Sequence, residues 1–117
     1  MYSIDYFVDM YKKEFPDQKY KVDQHIELNG IFLGHVFFNE EIFEPLWLLF
    51  RKTQKSYDIN RLVKIIELML FEGDDYVKSV VVTNILNTIK IEADIIETAM
   101  PYFSEDTIVA LRLANNV

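Results

Sequence analysis

Two apolar stripes on either side of one acidic turn constrain this chain more than anything else in it. Ile59, Leu62, Val63, Ile66, Met69 and Leu70 fall at i, i+3, i+4, i+7, i+10 and i+11, which is one side of a 3.6-residue helix. After Glu72-Gly73-Asp74-Asp75, Val77, Val81, Ile85 and Ile89 recur every fourth residue, with Val80 and Leu86 beside them. The stretch from Ser56 to Ile89 therefore predicts two helices folded back on each other. Gly73 is expected to take positive φ after the first helix. Asp74 or Asp75 is expected to cap the second by accepting its orphan N–H groups.

The rest of the chain reads as further helices. Residues 3–14 carry Ile4, Phe7, Val8 and Tyr11 on one side, with Ser3 as N-cap and Asp5 at the positive end of the dipole. Phe15-Pro16-Asp17 breaks this pattern. A more polar helix is expected from Asp17 to Leu28, stopped by Asn29-Gly30, so that the two form an N-terminal hairpin of modest burial. Residues 31–38 (IFLGHVFF) are almost wholly apolar. With no second strong strand to pair with, they read as a buried loop or short irregular helix plugging the core. Pro45 is costly inside a helix and comfortable at its start. A short turn over 39–44 and a helix from Pro45 to about Thr53 are therefore expected, with Leu46, Leu49 and Phe50 inward. Lys52 to Tyr57 is a polar connection. A helix over Glu92–Met100, ended by Pro101, and a last helix capped by Ser104, with Ile108, Leu111 and Ala114 inward, complete the chain before it frays at residues 115–117. Ile65-Ile66-Glu67 recurs as Ile95-Ile96-Glu97 thirty residues later, the pattern that stacked HEAT-type hairpins produce. The expectation is a single all-α domain, residues 1–117, of six or seven helices in stacked antiparallel hairpins, HEAT-like in part.

Composition narrows what such a fold does. Half of the 117 residues are hydrophobic, and Gly and Pro number three each. That suits a packed core with long elements and argues against disorder. The net charge of −7 repels phosphate backbones and anionic membrane surfaces and attracts basic partners. Without Cys there is no disulfide framework and no thiol chemistry. The N-terminus lacks the basic and apolar regions of a signal peptide. No apolar run approaches the ~20 residues of a membrane span. The expected compartment is the cytoplasm.

No residue pattern specifies a reaction. The two histidines, His25 and His35, have no partner at metal-ligand spacing. His35 is expected, if anything, to be a buried polar hinge bonding a backbone carbonyl. There is no glycine-rich phosphate loop and no nucleophile elbow. The tightest carboxylate groups, Glu40/Glu41/Glu44 and Glu72/Asp74/Asp75, lack the alternating spacing of a calcium loop, and helix capping accounts for both. The sequence thus implies no enzyme activity, cofactor, metal, membrane or nucleic-acid partner, and leaves the oligomeric state open. Anionic loops at the edge of a helical stack do suit a basic partner. Residues 57–103 hold eight acidic and four basic residues, the largest regional excess. Tyr57, Tyr76 and Tyr102 lie near it and suit an interface.

Three segments resemble a known family: His35-Val36-Phe37-Phe38-Asn39-Glu40, then Leu46-Trp47-Leu48-Leu49, then Glu72-Gly73-Asp74-Asp75-Tyr76-Val77. They look like those of small acidic all-helical bacterial proteins. There, an H-[VI]-x-F-type segment precedes an amphipathic helix and an E-G-D-x-x-V turn opens the next. The resemblance covers about residues 30–90. Some members look like immunity proteins of contact-dependent or other polymorphic toxin systems. These are cytoplasmic, non-catalytic proteins that cover the active site of a cognate toxin, often a basic nuclease. The resemblance implies the same here, with an acidic face meeting a basic cleft. Charge and resemblance together point to Glu72, Asp74, Asp75 and Tyr76, with Glu92, Asp94 and Glu97 behind them. The alternative expectation is a helical scaffold or adaptor binding a peptide through an apolar groove near Trp47.

Overall fold

The computed structural model describes residues 1–52, 57–92 and 94–115, with the side chains of Ile96, Leu111, Ala114 and Asn115 left aside. Its helices are α1 (Ile4–Glu14), α2 (Tyr20–Asn29), α3 (Gly34–Phe38), α4 (Glu44–Arg51), α5 (Tyr57–Glu72), α6 (Asp75–Ile91), α7 (Ile95–Ala99) and α8 (Glu105–Asn115). Short 3₁₀ turns lie at Pro16–Gln18 and Met100–Tyr102. α3 and α4 run on through a π turn at Asn39–Phe43, so the described residues form seven helical rods. The fold is all-α. Outside the helices, the described residues make one isolated β-bridge, Tyr2 with Gly73.

The α5–α6 hairpin is the expected one. Its whole first stripe is buried, as are Val77, Val80, Val81 and Ile85. Asp74 is the N-cap of α6, its Oδ1 accepting the Val77 N–H at 3.0 Å. Gly73 is needed for a different reason than expected. The only glycine with positive φ among the described residues is Gly30 (φ 77°), which ends α2 and donates its N–H to the Ile26 carbonyl at 2.7 Å. At Gly73 a Cβ would collide with the Met69 carbonyl oxygen and with Val77 Cγ1. It is space, not φ, that excludes other residues where α5 and α6 meet.

Around that hairpin the first fifty residues wrap an aromatic layer. α1 buries Phe7, Val8 and Tyr11 and lies along α5, held at its end by Arg61, which pairs with Glu14 at 3.5 Å and sits 4.4 Å over the Phe15 ring. Its burial exceeds what a hairpin with α2 alone would give. The plug over 31–38 becomes helical from Gly34. Phe37 meets Tyr11, Phe32 and Phe38 at ring separations of 5.2, 5.2 and 5.5 Å, and Phe37 and Phe38 are fully enclosed.

The expected break before Pro45 does not occur. The widened turn takes its place: the Glu44 N–H bonds back five residues to the Asn39 carbonyl. Proline has no N–H to continue an α ladder and its ring crowds the carbonyl one turn back. A π turn ending just before it gives that room and keeps the helix continuous. Ile42, Phe43, Leu46, Trp47 and Phe50 then all enter the core.

The buried, backbone-bonded histidine is His25, not the expected His35. His25 is only 6 % exposed. Its Nε2 accepts the Leu33 N–H at 3.1 Å, which ties the end of the 30–33 loop back to α2. Phe32 and Phe37 meet its ring edge-on. His35 is half-buried, against the Tyr76 ring at 5.4 Å.

The C-terminal part is smaller than a second full hairpin. α7 has five residues and begins at Ile95, not at Glu92, and its course continues past Pro101 as a 3₁₀ turn. Ser104 caps α8, its Oγ accepting the Thr107 N–H at 3.2 Å. Glu67 of α5 accepts from the hydroxyls of Ser104 and of fully buried Thr107. Its counterpart in the thirty-residue repeat, Glu97, is exposed. Thr53, Lys55, Ser56, Asn116 and Val117, and the inward calls at Leu111 and Ala114, lie outside what is described.

Candidate functional site

The acidic turn is a built surface. Tyr2 lies beside it as a strap, its N–H donating to the Glu72 carbonyl at 2.7 Å and its carbonyl accepting the Asp74 N–H at 2.8 Å. These bonds hold the turn backbone on both sides of Gly73. Asp74 spends its carboxylate on the α6 cap. Glu72 and Asp75 are exposed, and among the described residues neither has a basic partner at ion-pair distance.

Aromatic groups frame these carboxylates. Tyr2 and Tyr6 stack with ring centroids 3.9 Å apart and 11° between planes. Both remain exposed, as do Phe71 at the end of α5 and Tyr76 in the first turn of α6. A Cβ at Gly34 would lie 2.7 Å from the Tyr76 hydroxyl and 3.3 Å from Ile4 Cγ1, so α1, α3 and α6 converge at this corner. Stacked, strapped tyrosines lose little freedom when covered, which favours interface use.

The seven expected residues fall into two groups. Glu72, Asp74, Asp75 and Tyr76 share this corner. Glu92, Asp94 and Glu97 lie past the far end of α6. Tyr76 to Glu92 is sixteen residues, about 24 Å of helix. Glu92 is also neutralised, its Oε2 2.6 Å from Arg51 Nε, while Asp94 and Glu97 are exposed. Tyr102 leans on Phe50 at 5.3 Å at that same end, and Tyr57 stands in solvent at the start of α5. Missing from the expectation were Tyr2, which precedes α1, and Tyr6, in its first turn; their spacing of four residues was the available signal.

Between the two groups runs a cleft of about 670 Å³, walled by the α3–α4 rod and the outer side of α6. His35 stands at one end and Arg51 at the other, and Trp47 and Leu48 line it between them. Trp47 is 3 % exposed and its indole N–H is buried without an acceptor among the described residues.

Among the described residues, no group of three or more His, Asp or Glu is placed to hold a metal ion, and no helix is long and apolar enough to cross a membrane. Among the described residues one titratable group is strongly shifted. Burial, with the Glu41 carboxylate beside it, pushes the Tyr11 hydroxyl well above the ordinary tyrosine value. Tyr11 donates to Gln18 at 3.2 Å and to Glu41 at 3.4 Å, and Lys21 pairs with the same Glu41 oxygen at 3.1 Å. This network joins α1, α2 and the π turn, and its Gln18, Lys21 and Glu41 line a second, smaller cleft of about 360 Å³ with Phe15, Pro45 and Leu49. Compared with known proteins, the chain matches no family model, no curated protein and no solved structure.

Proposed function

We propose that this chain is a cytoplasmic immunity protein, a non-enzymatic inhibitor that binds a basic bacterial toxin domain stoichiometrically and covers its active site. The observation that carries the reading is the strapped corner. Glu72 and Asp75, uncompensated, sit among exposed Tyr2, Tyr6 and Tyr76 on a backbone held by two hydrogen bonds from Tyr2. Carboxylates attract a cationic cleft over distance and set the association rate. Tyrosine faces accept arginine side chains once contact is made. A surface already rigid before binding avoids much of the ordering cost. The resemblance of residues 35–40, 46–49 and 72–77 to a family of small acidic all-helical bacterial proteins, some of which look like immunity proteins, supports the same reading.

Glu72→Lys with Asp75→Lys is the test, because Asp74 serves the fold and its removal would confuse the result. Against a toxin domain captured with the native chain from its host, the double variant is expected to associate at least about tenfold more slowly at low salt. The native chain's association rate should fall steeply as salt rises. Full protection of toxin-expressing cells by the double variant, with an unchanged association rate, would refute the assignment.

A further inference from the structure

We infer that the cleft between the α3–α4 rod and α6 is a second binding site, and that it takes an extended peptide segment of a protein partner, with a cationic side chain set beside an apolar one. This does not depend on what the acidic corner binds.

The first ground is an absence of charge. A quarter of the chain is charged, yet residues 79–89 of α6 carry no charged side chain. The wall that α6 offers the cleft is Thr83, Asn84, Asn87 and Thr88. An exposed helix face kept for solubility would carry Lys and Glu, whereas depletion of those residues marks the centre of interfaces.

The second ground is the balance of charge and hydrogen-bonding capacity. Asn84 donates its amide to the Val80 carbonyl at 2.7 Å, and Thr88 donates its hydroxyl to the Asn84 carbonyl at 3.0 Å. The Asn84 and Asn87 amides and the Thr83 hydroxyl still donate as well as accept, so the wall is neutral and can hydrogen-bond an occupant in both directions. On the opposite wall Glu44 accepts from the Asn39 amide at 3.2 Å and has no basic partner among the described residues. Arg51 is neutralised by Glu92. One uncompensated carboxylate in a cleft otherwise walled by neutral amides, hydroxyls and apolar groups complements an occupant with a positively charged side chain.

The third ground is size and floor. Thr83 to Ile91 spans about 12 Å of helix, the length of about four residues of extended chain at ~3.3 Å each. Trp47 and Leu48 supply an apolar floor for one side chain. A peptide backbone brings N–H and carbonyl groups for the amides and hydroxyls of the α6 wall. A cationic side chain of the same segment would pair with Glu44.

Trp47 is the only tryptophan, so its fluorescence reports occupancy directly. A phage-displayed library of random linear peptides is panned on the whole chain, and the strongest binders are synthesised and titrated. The expected binders place Lys or Arg next to an aliphatic or aromatic residue and shift Trp47 emission on binding. Asn87→Arg, at an exposed position, should weaken them about tenfold or more, and Glu44→Gln should weaken them less and reduce their salt dependence. If Asn87→Arg fails to fold, Thr83→Lys at the same wall replaces it. No enrichment, enrichment of acidic peptides, binding that leaves Trp47 emission unchanged, or binding indifferent to both wall variants would each overturn the proposal. So would concentration-dependent dimerisation that Asn87→Arg abolishes, which would give the cleft to a second copy of the chain.

Discussion

The two halves of the molecule build their cores in different ways. Beneath α1–α4 the core is aromatic: Phe7, Tyr11, Phe37, Phe38, Phe43, Trp47 and Phe50, all buried. Within α5 and α6 it is aliphatic: Ile59, Leu62, Ile65, Ile66, Val77, Val81 and Ile85, with Met69 the exception. Aliphatic stripes on two long helices need only the right period, and neighbouring side chains are near equivalents. Rings packed edge to face need particular orientations. The aromatic half therefore depends on polar and backbone devices that the hairpin does without: the His25–Leu33 bond, the π turn before Pro45 and the Tyr11–Glu41 side-chain network.

If this contrast is right, the largest loss comes from the ring that most others touch. Phe37→Ala is expected to cost about 3–5 kcal/mol, read from urea unfolding, and to leave a core that the neighbouring rings do not close. His25→Ala removes the acceptor of the Leu33 N–H. It should cost about 1–3 kcal/mol and speed hydrogen exchange at the Leu33 amide ahead of global unfolding. If that amide stays protected, the loop does not depend on His25. In the aliphatic half, Ile66→Val should cost only about 1 kcal/mol, with the denaturant slope unchanged. A loss as large as that at Phe37 would erase the distinction between the halves.

The smallest neutral-pH effect belongs to Tyr11→Phe, about 1 kcal/mol for its hydrogen bonds, but its pH dependence is diagnostic. The folded state holds the Tyr11 proton more tightly than the unfolded chain does. The associated stability is thus fully present below the ordinary tyrosine value of about 10 and is lost as pH rises beyond it. The melting temperature of the native chain should fall in that alkaline range, and Tyr11→Phe should flatten the fall.

The same contrast explains what was legible in the sequence. The stripe from Ile59 to Leu70, the Asp74 cap, the Gly30 stop and the Ser104 cap are local events, written within a turn or two of the residues they involve. Gly73 was recognised as special, but its reason lies in Met69 and Val77 packing against it, which no turn rule contains. His25 was passed over because its partner is a backbone N–H eight residues away, across a loop. Pro45 was read by its usual cost, since nothing local announces a widened turn. At the site, the turn residues were legible and their companions were not. Regional charge joined Glu92, Asp94 and Glu97 to the turn, although the length of α6 separates them, and it could not bring Tyr2 across from the start of the chain.

The Tyr2 strap also has a consequence for the order of folding. Its two hydrogen bonds join residues about seventy positions apart in a chain of 117. Closing so long a loop costs chain entropy that a pair of hydrogen bonds alone does not recover. The strap must therefore wait until α1 has docked on α5, and on a ribosome it must wait until the turn has emerged. The strapped corner is in this sense the last part of the protein to become itself. Its amide at Asp74 marks when that has happened.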